Sequence, residues 1–282
     1  AAPALVEHIA KNIAKRLGKT AKAFGAGAAA HIRVYAGMAV LVVGRALGRV
    51  DAACPRGRAA GKRVPQFCRC GLIRQNGTVV LSVGRRTRVR IALLSYRTKT
   101  HSGGQGVYVR NLSRALVTIG HEVTVFSAQP YPEELDPRVQ VVEVPSLDLY
   151  RDDDPFRTPA LSEFRDWIDA TEYLTMITAG FPEPLTFSLR IRRLAAQGAF
   201  DDFDVVHDNQ SLGYGLLSVA KRRPFLATIH HPISEDRRLE IAAAPWKKQI
   251  PVRRWYAFVR MQARVARRFR TILGVSSVSA AD

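Results

Sequence analysis

Short apolar runs separated by mixed, helix-periodic stretches fill this chain from residue 87 onward. RVRIALLSY (88–96), HEVTVFS (121–127), VQVVEV (139–144), DVVHD (204–208), PFLATIH (224–230) and TILGVS (271–276) are continuous apolar runs of strand length. Between them, 107–120, 162–179, 185–197 and 212–222 carry helical spacing, and a long basic helix is expected from Trp246 to Arg270. Gly120 stands where a helix ends in a left-handed residue. Strands that alternate with helices, and that are apolar on both faces, predict a parallel sheet covered on both sides: a Rossmann-like α/β domain over 87–282.

Residues 1–86 have a different texture. Leu5, Ile9, Ile13 and Leu17 recur at four-residue steps beside Lys11, Lys15, Arg16 and Lys19, predicting one short basic amphipathic helix. Beyond it, 51–71 shows no sustained period and reads as loop or disorder. The formal net charge of +19 sits mainly here: 16 Lys and Arg stand against two Asp and Glu in 1–86. Residues 87–282 are an ordinary, mildly basic globular sequence, which weakens any whole-chain nucleic-acid reading. The N-terminal segment is either a basic arm for nucleic acid or a membrane, or an appended stretch without selected function. Cys54, Cys68 and Cys70 lack the spacing of a zinc site, and their odd number argues against a disulfide framework, so no metal is expected. No segment reaches the 18–20 apolar residues that span a bilayer.

The chemistry is expected where strands end. Gly103, Gly104 and Gly106 lie just before a helix, at the edge where ligands of such sheets bind. Glycines let a phosphate approach the backbone, and a helix N-terminus offers N–H groups and partial positive charge. A tight turn needing positive φ explains the same spacing equally well. A P-loop is disfavoured, because GQGVYVRN lacks Gly-Lys-Ser/Thr. A dinucleotide site is disfavoured too, since RTKTHS separates strand from glycines and the second strand ends without an acid.

Several motifs occur in order: IALLSY then SGGQGVYVRNLSRAL, GHEVTVFS, FDVVHDNQ, FLATIHHPI and RFRTILGVSSVSAAD. Together they resemble the N-terminal half of GT-B glycosyltransferases, specifically the retaining family numbered four, over about 88–282. The resemblance implies a nucleoside-diphosphate sugar as co-substrate, no other cofactor, and no obligatory metal. It places the donor diphosphate at Gly103 and Gly104 and the donor sugar beside His230, the candidate catalytic residue. A strand-end imidazole can hydrogen-bond a sugar hydroxyl, and a capped structural histidine is the plain alternative. His231 should point to the other face and is the poorer candidate. His207, Asp208, Asn209 and Gln210 would line the acceptor side, with Asp208 the carboxylate able to touch an acceptor hydroxyl, unless these residues merely cap the next helix. The acceptor would be a carbohydrate or a lipid-linked one, and 148–159 is either an acceptor-side loop or a solvated connection.

The family's second, donor-binding domain comes after the motif at which this sequence stops. The resemblance therefore implies an acceptor-side lobe that is inactive alone. Lys and Arg interleaved with aromatics between Trp246 and Arg270 suit an anionic membrane surface, or a stripe packed on the sheet. The absence of cysteine after residue 86 fits a cytoplasmic location, to which the first option adds a peripheral seat at the inner face of the plasma membrane. Two other readings stay open: a non-catalytic binding or scaffold module, and a basic nucleic-acid-binding protein. Nucleic acid is the weaker of these, having no recognised motif behind it.

Overall fold

The computed structural model describes residues 88–99 and 104–275, with the backbone of two short strands upstream. The helix expected around Leu5 to Leu17, the three cysteines and Gly103 lie outside the described residues. The upstream strands, β1 (Leu72–Gln75) and β2 (Thr78–Leu81), pair antiparallel with Gln75 opposite Thr78. Periodicity alone predicts no strand there. The signal is Asn76-Gly77, the dipeptide best suited to close a two-residue hairpin.

The main sheet comprises β3 (Arg90–Ser95), β4 (Glu122–Ser127), β5 (Gln140–Glu143), β6 (Val205–Asn209), β7 (Phe225–Ile229) and β8 (Ile272–Gly274). All five pairings are parallel, in the order β5-β4-β3-β6-β7-β8. The chain starts in the middle, works to one edge, then crosses back beside β3 and works to the other. Between β3 and β6 the direction of winding reverses, and the crevice outside those two carboxyl ends is where such sheets bind ligands.

Alternate side chains of the inner strands feed two cores, while the edge strand β5 leaves all four of its residues exposed. Ile91 and Leu93 join Val123, Val125 and Leu226 under Tyr108, Val109, Leu112 and Leu116 of α1 (Gly104–Thr118). Ala92, Leu94, Phe126 and Val206 face the opposite layer. That layer holds Phe187 and Ile191 of α3 (Glu183–Ala196), Leu216 and Val219 of α4 (Leu216–Arg222), and Met261 and Val265 of α7 (Ala257–Ala266). Burial on both faces is why β3, β4, β6 and β7 read as unbroken apolar runs. The expected Rossmann-like α/β class is what forms. Gly120 ends the first turn after α1 at φ +97°, as its position predicts.

Three helical expectations change. The stretch 162–179 divides into a 3₁₀ turn, Leu161–Glu163, and α2 (Trp167–Ile177), because Asp166 caps α2 by accepting from the Ile168 and Asp169 N–H groups. A helix that periodicity does not predict, α5 (Ile233–Ala243), buries none of its residues and so shows no apolar period. The single basic helix from Trp246 to Arg270 does not form. A 3₁₀ turn, Trp246–Lys248, leads into α6 (Gln249–Trp255), and α7 starts one residue later. The break falls at Tyr256, whose N–H closes α6 on the Val252 carbonyl while its hydroxyl donates to Glu240 Oε1 at 2.7 Å. Met261 and Val265 of α7 are buried, and Phe258 packs against the same core. Trp246 and Ile250 remain 77% exposed. An inward stripe thus describes α7 and not the turn that begins the stretch.

Candidate active site at the carboxyl edge of the sheet

β6 and β7 pair with Asn209 opposite Thr228, so the residue two steps beyond Thr228 emerges beside the end of β6. That residue is His230. Its backbone N–H donates to Gln210 Oε1 at 2.6 Å, and its Nε2 meets Asn209 Oδ1. The Asn209 amide NH₂ donates to the Gln105 carbonyl at 3.3 Å, which turns Oδ1 toward the imidazole. Nε2 therefore carries the ring proton. Burial lowers the His230 pKa to about 4, leaving a neutral imidazole at physiological pH. The ring edge-packs on Tyr108 at 4.6 Å. A neutral, oriented, half-buried imidazole at a sheet edge is equipped to hydrogen-bond and not to act as a cation.

The neighbouring polar residues form the floor under His230. His207, Asp208 and Asn209 are fully buried, and Gln210 nearly so. Strand alternation sends His207 toward α1, where its Nε2 meets Thr228 Oγ1 at 2.7 Å, and that hydroxyl in turn meets Tyr108 OH at 3.1 Å. His207 Nδ1 is buried without a hydrogen-bond partner, and burial drops its pKa to about 3. Asp208 faces the other way. Its carboxylate accepts from Leu212 N–H at 2.9 Å and from both the backbone and the hydroxyl of Ser211. Burial raises its pKa to about 6 against those bonds. It holds a loop in which Gln210 and Leu212 adopt φ +57° and +47°. The structure thus joins Asn209 and Gln210 directly to His230, ties in His207 through Thr228 and Tyr108, and engages Asp208 with the loop. Gln262 of α7 braces this loop too, donating to the Gln210 and Ser211 carbonyls at 3.0 and 3.3 Å. His231 is exposed, with its Nε2 2.8 Å from Asp236 Oδ2.

The glycines divide by environment. A Cβ on Gly106 would lie 1.7 Å from the Lys99 carbonyl oxygen, so this position needs glycine for backbone packing. A Cβ on Gly104, the first residue of α1, would meet nothing within 4 Å. The open one is the candidate for ligand approach.

Beyond the glycines, RTKTHS supplies contacts that spacing does not reveal. Arg97 Nη2 donates to the Tyr150 carbonyl at 3.2 Å, and Lys99 Nζ meets both Asp152 oxygens at 2.5 Å. The loop after β3 and the segment 148–159 are therefore clamped together, with Gly106 seated on the same Lys99 backbone. Leu147, just ahead of that segment, donates its N–H to Glu172, which a buried Arg190 binds together with Asp169.

Glu183 stands behind Arg97. Its Oε2 accepts no hydrogen bond, Arg97 Nε lies 3.5 Å away, and burial pushes its pKa up to about 8. A carboxyl raised in the folded state contributes stability that is whole below the unfolded value near 4.5 and is lost as pH rises toward 8. The depressed histidines act in the opposite sense, and their effect runs to about a unit above the unfolded imidazole pKa near 6.5, because half of those rings still hold a proton there. Between pH 6.5 and 8 the Glu183 contribution falls by about 1.5 kcal/mol, and because Glu183→Gln leaves the histidines in place, the difference between the two proteins isolates it. Urea unfolding of both proteins at the two pH values should show the wild type losing about 1.5 kcal/mol more than Glu183→Gln. Parallel pH profiles for the two proteins would refute the assignment.

A hollow of about 760 Å³ lies at the opposite, amino edge of the sheet. Its arginines are spent: Arg88 pairs with Glu122 at 2.7 Å, Arg90 with Asp202 at 3.4 Å, and Arg138 with Asp136 at 2.8 Å. His121 lines it as well, burial lowering its pKa and its Nδ1 accepting from Val89 N–H at 3.4 Å, but the hollow faces the amino ends of the strands and not the crevice where such sheets bind ligands.

Comparison with known proteins meets this geometry at the same edge. The profile of Glycosyltransferase Family 4 matches residues 102–282, from the glycine loop through His230 to the end of the chain. The MMP alpha-(1->4)-mannosyltransferase of Mycolicibacterium hassiacum is 64% identical over 195 residues, covering 69% of this chain and 47% of that protein. The chain thus spans about half the length of this relative. With the family profile covering well over half of its residues on a Rossmann-like fold, the chain belongs to glycosyltransferase family 4.

Proposed function

We propose that this chain is the acceptor-side lobe of a retaining GT-B glycosyltransferase, one that moves a hexosyl unit from a nucleoside-diphosphate sugar to an acceptor hydroxyl. Similarity to a mannosyltransferase makes mannose the first sugar to test. The observation that carries the proposal is His230: neutral, fixed by Asn209 and Gln210, and linked through Asn209 to Gln105, the residue after the open Gly104. In this reading the donor sugar lies against His230, and the diphosphate enters over Gly103 and Gly104. His207, Asp208, Asn209 and Gln210 shape the acceptor side from beneath. A second lobe grips the nucleotide and stabilises the departing diphosphate, which is usually the largest contribution to such catalysis.

The 282-residue chain alone should then transfer no sugar. Residues 88–282 joined to the part of the Mycolicibacterium hassiacum relative beyond its matched 195 residues should transfer mannose from a nucleoside-diphosphate donor. Product analysis should show retained anomeric configuration. A well-folded chimera that fails with every nucleotide-mannose donor, beside an active relative, would overturn the proposal. Turnover by the isolated chain would overturn its lobe assignment.

A further inference from the structure

A continuous line of aromatic rings leaves the carboxyl edge beside the site. Tyr96, which follows β3, receives a 3.4 Å hydrogen bond from Gln105, the residue whose carbonyl Asn209 binds. Its ring edge-packs on Phe181 at 6.5 Å. Phe181 lies 5.5 Å from Tyr150 and 5.3 Å from Trp255. Phe156 closes the line, 5.4 Å from Tyr150 and 6.3 Å from Trp255. Tyr150 cannot swing away: Arg97 binds its carbonyl and lies 6.0 Å over its ring, and its hydroxyl donates to the Gly180 carbonyl at 3.4 Å.

Phe156 is 60% exposed and sits at φ +64°, a left-handed conformation that bulky side chains rarely adopt. A lone exposed phenylalanine needs no explanation. One held outward in a disfavoured conformation, on top of two anchored rings, is a built surface. Its rim carries both signs: Asp153 and Asp154 are 75% and 54% exposed with Arg151 reaching them at 3.4 and 3.5 Å, and exposed Arg253 and Arg254 precede Trp255. Such a mixed rim gives an anionic lipid surface no uniform attraction. It offers acceptor oxygens and a guanidinium to hydroxyl groups, beside flat apolar faces that suit the C–H face of a sugar ring.

We propose that Phe156, Tyr150 and Trp255 form a stacking platform for a neutral oligosaccharide acceptor, extending the acceptor side beyond His230. This rests on the glycosyltransferase reading above and names the class of its acceptor. Arg97 and Lys99 are positioning residues in it, clamping the platform's loop to the loop that carries the glycines.

Calorimetric titration of the 282-residue chain with α-(1→4)-linked manno-oligosaccharides of two to six units tests the platform directly. Affinity should rise with length, Phe156→Ala should weaken the hexamer about tenfold or more, and Phe156→Trp should retain it. Both variants should keep the wild-type melting temperature, since the side chain is largely exposed. Absence of binding by the wild-type chain, or equal affinity in Phe156→Ala, overturns the platform. Phe156-dependent binding to vesicles rich in anionic lipid overturns it as well. The two proposals fail separately. A chimera that transfers sugar with an acceptor KM unmoved by Phe156→Ala removes the platform and leaves transfer standing. An inert chimera with oligosaccharide binding intact removes transfer and leaves the platform.

Discussion

Gly106→Ala is expected to unfold or gravely weaken the domain, with a loss above about 3 kcal/mol. In an ordinary helix interior the same change would gain about 1 kcal/mol, because alanine loses less backbone freedom than glycine. Here the added methyl carbon would fall 1.7 Å from the Lys99 carbonyl oxygen, inside any permissible contact. The obstacle is backbone at both ends, so no rotamer change relieves it. Relief requires α1 to move off the loop after β3, which would unseat Tyr108, Val109 and Leu112 from the core. Gly104→Ala is the matched control: its Cβ enters open space, and the domain should fold at least as stably as the wild type. Denaturant midpoints of the two variants measure the contrast, and similar midpoints would refute the account of Gly106.

Sequence alone shows three glycines within four residues and cannot rank them, because the atom that decides lies on a loop folded back from residue 99. The same limit explains the other misses. The parallel sheet is legible since strands buried on both faces are continuous apolar runs, and even β5, exposed at all four residues, keeps an apolar run flanked by the buried Val139 and Val144. α5 leaves no trace because it packs nothing into the core, and residues 246–270 read as one helix because the break at Tyr256 is fixed by Glu240, sixteen residues away. At the site, His230 is legible as a polar residue ending an apolar strand. The buried direction of His207 is not, because period two says only that neighbours face opposite sides, and tertiary packing decides which side is covered. Arg97 and Tyr108 have no local signal at all: their partners come from Tyr150 and Thr228, set in place by the sheet order and the loop clamp.

His230→Ala, made in the active chimera, is expected to lower kcat about 100-fold or more while leaving the fold intact. That is the scale lost when one preorganised hydrogen-bonding group is removed from a reacting centre. The fold should survive because the imidazole is half-buried at an edge, and its removal empties no part of either core. A purely structural histidine would show the reverse, a lowered melting temperature with turnover per folded molecule unchanged. The pH profile separates the roles further. With its pKa held near 4 by burial, His230 stays neutral through the physiological range, so wild-type kcat should show no acid limb near pH 6.5 from this residue. Asn209→Asp places a carboxylate against Nε2, and an adjacent negative charge favours the protonated imidazole. The His230 pKa must then rise, and an acid limb should climb toward neutrality, read per folded molecule because the carboxylate also loses the bond to the Gln105 carbonyl. If His230→Ala keeps near wild-type kcat, or Asn209→Asp leaves the acid side of the profile in place, His230 is a capped structural residue. The catalytic contact would then have to be sought among the groups of the second lobe.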